Sequence, residues 1–278
     1  MSERNRGRKD HYLPQGYLRG FINPARRDLD KPLWWFQVPQ RRWRECSSSE
    51  VGFIRGFYDF SMGKDPDKET ADEAFADLER NFTLVLRDLR ASQFSNWLNH
   101  HDFLLRYMQM IRVRSPLYFQ QKYVEGEKSP AAVIEEISED RRRLKIRPIE
   151  LPDSFIKNTS LKAMMGELKS GVDWLNNFDW ALRHCDSLSN SFLTSDSPFV
   201  VTGPLPGQED LVKWEALYHP DTLLYFPLCW EACIVGTPIQ RPFDIKTDRA
   251  MPKFLQRVRE MYRKNAKSYL ISAVKLDD

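Results

Sequence analysis

Residues 33–46 read LWWFQVPQRRWREC, and this stretch decides the class of fold that the sequence predicts. It is rich in Trp, Phe and Val, which favour β-strands, and Pro39 interrupts it. We therefore expect one or two short strands near the start of the chain, before any helical pattern begins.

A long helical region follows these strands. Apolar residues recur at helical spacing from Phe75 to Leu89, and Thr70 with Glu73 forms a capping box that predicts where this helix begins. Further helices are predicted from Ser95 to near Arg114, from Pro116 to Tyr123, and over 129–143 and 153–184. The middle of the chain is therefore predicted to be helical.

Strand composition returns in the C-terminal part. Strands are predicted within 192–202, 223–228, 231–236 and 268–274, with one more helix over 251–265. This order indicates an α+β fold, with the helical middle region packed on a small, mostly antiparallel sheet built from N- and C-terminal segments. We expect one domain, residues 11–278, preceded by a mobile basic arm at 1–10.

Composition limits the class of protein. The chain has 278 residues, of which 41% are hydrophobic, enough for a sizeable core and against wholesale disorder. No apolar run is long enough to span a membrane, and the start MSERNRGRKD does not resemble a secretory signal. The four cysteines show no CxxC pair. These features predict a cytoplasmic protein that does not associate with membranes.

Charge is distributed unevenly along the chain. The net charge is +3, but residues 1–45 hold eleven Lys and Arg against five Asp and Glu, a local charge of +6. Aromatic residues alternate with these bases, an arrangement suited to RNA or another single-stranded nucleic acid. The candidate contact residues are Arg19, Arg41, Arg42 and Trp43. The alternative interpretation is a solvated basic strand edge with a Trp-rich inner face.

Five polar residues are candidates for a catalytic site. His11 titrates near neutral pH and could act as a general base, while Gln15 could orient a substrate. Glu79 borders the apolar stripe of its helix, and Arg114 matches either a carboxylate or a phosphate. Asp196, in TSDSPF, could orient His11 or act as an acid.

Each of these residues also has a structural interpretation. His11 and Gln15 could satisfy backbone groups where the chain enters the fold. Glu79 and Arg114 could form a buried ion pair, and Asp196 could cap its own turn through neighbouring hydroxyls. No phosphate-binding loop, dinucleotide fingerprint or zinc spacing is present, so we expect no cofactor and no metal site.

Six segments together resemble one known family, the domain-of-unknown-function family 4238. They are HYLPQGYLRGF at 11–21, GFYDF at 56–60, LERNF at 78–82 with the later RSP at 114–116, FLTSDSPFV at 192–200, YFPL at 225–228 and NAKSYLIS at 265–272. The resemblance covers nearly the whole chain in the right order. It implies a stand-alone microbial or phage-encoded cytoplasmic protein, and it supplies neither a cofactor nor catalytic residues.

Two functional hypotheses remain open from the sequence. The first is a metal-independent, RNase-like effector in which His11 is the base, Glu79 or Asp196 the acid or orienting group, and Arg114 the phosphate-binding group. The second is a non-catalytic module that binds nucleic acid or protein, or acts as a sensor, in which the same residues are structural. Convergence of the five side chains in an open cleft would favour the first, and their dispersal or burial in ion pairs would favour the second.

Overall fold

The computed structural model describes residues 9–55, 57, 66–116, 118, 166–168, 172–202, 222–239 and 248–276, with side chains described outside 66–74 and 248. Its strands, in chain order, are β1 (Lys9–His11), β2 (Leu33–Gln37), β3 (Arg42–Cys46), β4 (Phe53–Arg55), β5 (Phe178–His184), β6 (Leu193–Ser195), β7 (Val200–Thr202), β8 (Leu223–Pro227), β9 (Ala232–Pro238), β10 (Asp248–Arg249) and β11 (Tyr269–Ser272). Its α-helices are α1 (Gln15–Arg19), α2 (Pro66–Ala91), α3 (His101–Arg114) and α4 (Pro252–Asn265).

The described strands form three sheets. The largest has the order β10-β5-β9-β8-β7, the second has the order β3-β2-β11-β6, and β1 pairs with β4. Every neighbouring pair is antiparallel except β10 and β5, which are parallel. The second sheet joins β2 and β3 from the N-terminal part to β6 and β11 from the C-terminal part. The predicted α+β class and the mostly antiparallel pairing are therefore confirmed, with the strands divided among three sheets.

The helix boundaries follow from local chemistry. Helix α2 begins at Pro66, four residues before the predicted capping box, because proline suits the first turn of a helix. Helix α3 ends at Arg114, as predicted, since Ser115 adopts an extended conformation before Pro116. Helix α4 also begins at a proline, Pro252, within the predicted range.

One prediction of secondary structure was wrong. Residues 178–184 form β5 and not the end of a helix, and a 3₁₀ helix over Asp173–Asn177 precedes them. Phe178, Trp180 and Leu182 alternate along the strand, but a stretch of seven residues is too short for periodicity alone to separate a strand from a buried helix. All seven residues pair with β9, and this pairing stabilises the strand conformation.

Several predictions fall outside the described residues. They concern residues 1–8 of the arm, most of the helix predicted to reach Tyr123, the helix over 129–143, and all of 153–165. Lys9 and Asp10, which we included in the arm, lie in β1 and pair with β4. The single-domain organisation stays a prediction.

The core joins all of these elements. The stripe on α2 buries Phe75, Phe82, Leu86 and Leu89, and the ring of Phe82 stacks on Tyr107 of α3 with centroids 3.9 Å apart. Helix α2 packs against α1 and α3, and α4 packs against β6. None of the helices within the described ranges has the length and hydropathy needed to cross a bilayer.

Candidate functional site

Arg114 lies at the centre of a buried polar cluster, the Arg114 cluster, made with Glu79 and the backbone of His11. Its side chain is 6% exposed, at the C-terminal end of α3. One guanidinium nitrogen, Nη1, donates to Oε1 of Glu79, and the other, Nη2, donates to the carbonyl oxygen of His11. The guanidinium also lies over the ring of Phe75, 4.5 Å from its centroid. The cluster therefore holds β1 against α2 and α3.

The His11 imidazole lies beside the Arg114 cluster, on β1. Its ring packs against Phe53 on the paired strand, with centroids 5.6 Å apart. Within the described part of the chain, the buried Nε2 has no hydrogen-bond partner. Burial lowers the pKa of His11, and the positive charges of Lys9 and Arg114 lower it further. The imidazole is therefore neutral at pH 7.

We expect the pKa of His11 to lie below its ordinary value of 6.5 when measured by NMR from the ring-proton shifts. A histidine pKa that is lower in the folded state makes a contribution to stability that is complete above pH 6.5. That contribution is lost as the pH falls through the folded-state pKa. The His11→Gln variant assigns the resonance, and a midpoint at or above 6.5 would contradict the buried, positively charged environment.

Gln15 begins α1, which packs against α2. Its side-chain oxygen accepts a long hydrogen bond of 3.5 Å from Arg19, one turn further along α1. No hydrogen bond among the described residues joins Gln15 to His11.

Asp196 also has partners of its own, in a turn distant in sequence. Its carboxylate is 8% exposed and accepts from the backbone N–H groups of Lys267 (3.2 Å) and Ser268 (2.7 Å). Burial raises the pKa of Asp196, and the two backbone donors oppose that shift. Asp196 thus caps the turn between α4 and β11.

The local turn that Asp196 was expected to cap is held by its neighbour. The Oγ of Ser195 accepts from the backbone N–H of Ser197 at 3.1 Å. No contact among the described residues joins Asp196 to His11. The hydrogen bonds of the Asp196 carboxylate go to the 267–268 turn and not to the hydroxyls of its own turn, and this partner could not be read from nearby sequence.

Two tyrosines that sequence reasoning passed over complete the network. The Tyr12 and Tyr269 hydroxyls are 2.6 Å apart, in the buried interior. The Tyr17 hydroxyl donates to the Pro227 carbonyl oxygen at 2.8 Å and lies 2.9 Å from the Thr194 hydroxyl. Their only signal in the sequence is that each lies within HYLPQGYLRGF, while their partners lie in TSDSPF, YFPL and KSYLIS.

A protein family described as a protein of unknown function, DUF4238, matches residues 9–275. The chain belongs to the DUF4238 family. No curated protein and no solved structure matches the chain. The hydrogen bonds just described join five of the six DUF4238 segments quoted above. These five segments therefore form one buried network of polar contacts.

The predicted nucleic-acid-contacting residues lie mainly on one hairpin. We call residues 33–46 the β2–β3 hairpin. Arg41, in its turn, has φ +48°, and Arg41 and Arg42 are exposed. Trp43 is half-buried and points to the face opposite Arg42, because side chains alternate along β3. Arg19 lies on α1, outside the hairpin.

Each face of the hairpin combines rings with polar groups. On one face, Trp35 is directly opposite Arg44, and Gln37 is directly opposite Arg42. The Nε of Arg42 donates a hydrogen bond to Oε1 of Gln37 at 3.3 Å. On the other face, the rings of Phe36 and Trp43 have centroids 5.2 Å apart.

Metal ligation has no support in the described ranges. No group of three or more His, Cys, Asp or Glu side chains is placed to hold a metal ion there. The cysteines are buried thiols, and burial raises the pKa of Cys46, Cys185 and Cys229 to about 12. Such thiols remain protonated at pH 7 and are poor nucleophiles and poor metal ligands.

Proposed function

We propose that this protein is a single-stranded nucleic-acid-binding module whose contact surface is the β2–β3 hairpin. One observation carries the proposal: exposed Arg42 and Arg44 share a face of strand β3, with half-buried Trp35 opposite Arg44. Guanidinium groups neutralise phosphates, and indole rings stack on bases without regard to sequence. This combination suits RNA or another single-stranded nucleic acid.

The charge balance of the hairpin supports the same proposal. Glu45 is the one acidic residue within 33–46, and it already pairs with Arg26 at 2.5 Å. The guanidinium of Arg26 in turn lies 4.9 Å from the ring centroid of Trp34. The positive charges of Arg41, Arg42 and Arg44 therefore face solvent without a neutralising acid in the hairpin.

The Arg114 cluster favours binding over catalysis. A phosphate-binding arginine must present its guanidinium to the substrate, and the guanidinium of Arg114 is buried against Glu79, His11 and Phe75. Gln15 and Asp196 bond elsewhere. Three of the five candidates thus meet in a buried ion-paired cluster, and the hydrogen bonds of the other two go to other partners, which supports a structural role for these polar residues.

We expect the variant Arg42→Gln/Arg44→Gln to bind labelled oligo(U) and oligo(dT) about tenfold more weakly in fluorescence anisotropy. Each phosphate contact contributes about 0.7 to the slope of log affinity against log salt for a single strand, so two lost contacts reduce that slope by about 1.4. The salt series therefore tests whether the arginines contact phosphates.

A matched control removes the same charge from another surface. Lys253 and Arg257 are exposed residues of α4, and the variant Lys253→Gln/Arg257→Gln should leave affinity and salt slope nearly unchanged. If both double variants weakened oligonucleotide binding equally, affinity would depend only on net charge, and the β2–β3 hairpin would not be the contact surface. Absence of binding by the unmodified protein would end the proposal.

An RNase-like activity is the second candidate function, and the state of His11 favours it. A neutral imidazole with an unpartnered Nε2 is the form that a general base requires. If the protein cleaves RNA or single-stranded DNA, with or without divalent metal, His11→Ala should slow cleavage by about 100-fold. Cleavage that persists in the variant would remove His11 from the chemistry, and no cleavage by either protein would leave the binding module alone.

A further inference from the structure

Strands β1 and β4 form a two-stranded antiparallel sheet, which we call the β1–β4 ribbon. In its register, Lys9 is directly opposite Arg55, and His11 is directly opposite Phe53. Because side chains alternate along a strand, these four lie on one face of the ribbon, the Lys9–Arg55 face. The one acidic residue of the ribbon, Asp10, lies on the other face.

The ring of Phe53 brings the two cations of this face together. The Nζ of Lys9 lies 4.4 Å from the ring centroid, and the Cζ of Arg55 lies 6.0 Å from it. The imidazole of His11 packs against the same ring. Two positive charges and a neutral imidazole therefore meet around one aromatic side chain.

The pairing of two cations is unfavourable unless an anion lies near them. Like charges directly opposite each other destabilise an antiparallel pair of strands, and both Lys9 and Arg55 are exposed. An anion that contacts both would replace this repulsion with two charge-assisted hydrogen bonds. Lys9 uses one of its three N–H donors in a 3.3 Å hydrogen bond to the Ser49 carbonyl oxygen, which leaves donors for a ligand.

Phosphate is the anion that fits this set of groups. Its several oxygens can accept from an ammonium and a guanidinium at the same time. The guanidinium of Arg114 is buried, whereas Lys9 and Arg55 are exposed on the same face as His11. The half-buried ring of Phe53 adds apolar surface for a group attached to the phosphate.

We propose that the Lys9–Arg55 face binds the phosphate group of a nucleotide, which the Lys9 ammonium and the Arg55 guanidinium hold together beside His11. The phosphate belongs either to a single strand or to a free mononucleotide. The choice of a nucleotide rests on the proposed nucleic-acid-binding function, but the site lies outside the β2–β3 hairpin. In the RNase-like candidate function, the same phosphate would lie next to the general base.

Titration of the full chain with UMP and with uridine, followed by NMR of the His11 ring protons in phosphate-free buffer, tests the proposal. We expect UMP to shift these resonances until the site is saturated and uridine to leave them unchanged, because only UMP carries a phosphate. Burial and the positive charges of Lys9 and Arg114 lower the pKa of His11. This pKa should rise when UMP binds, since the phosphate places negative charge beside the imidazole.

The variant Lys9→Gln/Arg55→Gln should abolish the response to UMP and weaken oligo(U) binding at least about fivefold. Because both cations hold one phosphate, the slope of log affinity against log salt should fall by about 0.7. Both side chains are exposed and their charges repel each other, so the variant should fold normally. The control Lys253→Gln/Arg257→Gln removes the same two residue types from α4 and should respond to UMP as the unmodified protein does.

Two results would overturn the proposal. One is an equal response to UMP and uridine, and the other is that neither the response to UMP nor the affinity for oligo(U) depends on Lys9 and Arg55. A response to UMP without oligo(U) binding would keep the phosphate site for a mononucleotide and end the proposed function of the β2–β3 hairpin. Oligo(U) binding that depends on Arg42 and Arg44 alone would do the reverse.

Discussion

The variant Arg114→Ala is expected to lower the free energy of unfolding by about 3 kcal/mol. The substitution removes the donors to the Glu79 carboxylate and the His11 carbonyl oxygen, together with the contact on Phe75. Glu79 remains one-third exposed and can be hydrated, which keeps the loss towards the lower end for a broken buried ion pair. Urea unfolding followed by circular dichroism measures the change.

An exposed ion pair on α2, the helix that carries Glu79, provides the control for Arg114. The Nη1 of Arg80 lies 3.2 Å from Oδ1 of Asp77, and both side chains are about 70% exposed. Arg80→Ala should therefore change stability by no more than about 0.5 kcal/mol. Equal effects of the two substitutions would mean that burial adds nothing, and Arg114 would then be free for a role other than holding β1 to the helices.

Gly236→Ala is expected to cost about 3 kcal/mol through overpacking. Gly236 lies on β9 directly opposite Trp180 of β5, and an added Cβ would lie 2.5 Å from Cζ3 of the indole. The ring cannot move away easily, because Trp180 is buried and its Nε1 donates to the Leu175 carbonyl oxygen at 3.0 Å. The backbone of β9 is itself paired on both sides, with β5 and β8.

The same substitution at another glycine tests this explanation. Among the described residues, no atom lies within 4 Å of a Cβ added at Gly166, and Gly166→Ala should be neutral or slightly stabilising. The smaller ring in Trp180→Phe should relieve the clash, so the double variant with Gly236→Ala should lose less stability than the two single variants added together. Strict additivity, measured by urea unfolding, would show that the indole is not the obstacle.

Local patterns in the sequence were enough to predict much of the secondary structure. The apolar stripe on α2, the helix over 251–265, the proline that ends α3 and the strand-forming residues of β2, β3 and β11 depend on contacts within a few residues. Strand β5 was missed because seven residues are too few for the spacing of apolar side chains to distinguish a strand from a helix. Its identity depends on β9, about fifty residues further along the chain.

The candidate site also combines contacts that the sequence could predict with contacts that it could not. The sequence identified Arg114 and Glu79 as a pair and named the ion-pair interpretation, because their chemistry is complementary wherever they meet. It could not show that the second guanidinium nitrogen would be used by a backbone carbonyl of β1, 103 residues earlier. That contact and the ion pair together support the structural role that we propose for Arg114.

The sequence by itself therefore determined the α+β class, the family, the basic and aromatic composition of residues 33–46 and the residue types able to do chemistry. Only the tertiary structure decided which polar atoms meet: Asp196 with the 267–268 turn, Tyr12 with Tyr269, and Tyr17 with the Pro227 carbonyl oxygen. The physical reason is that periodicity and turn chemistry act over a few residues. The partner of a buried polar group is instead set by how distant segments pack, and most such groups find a partner in the core.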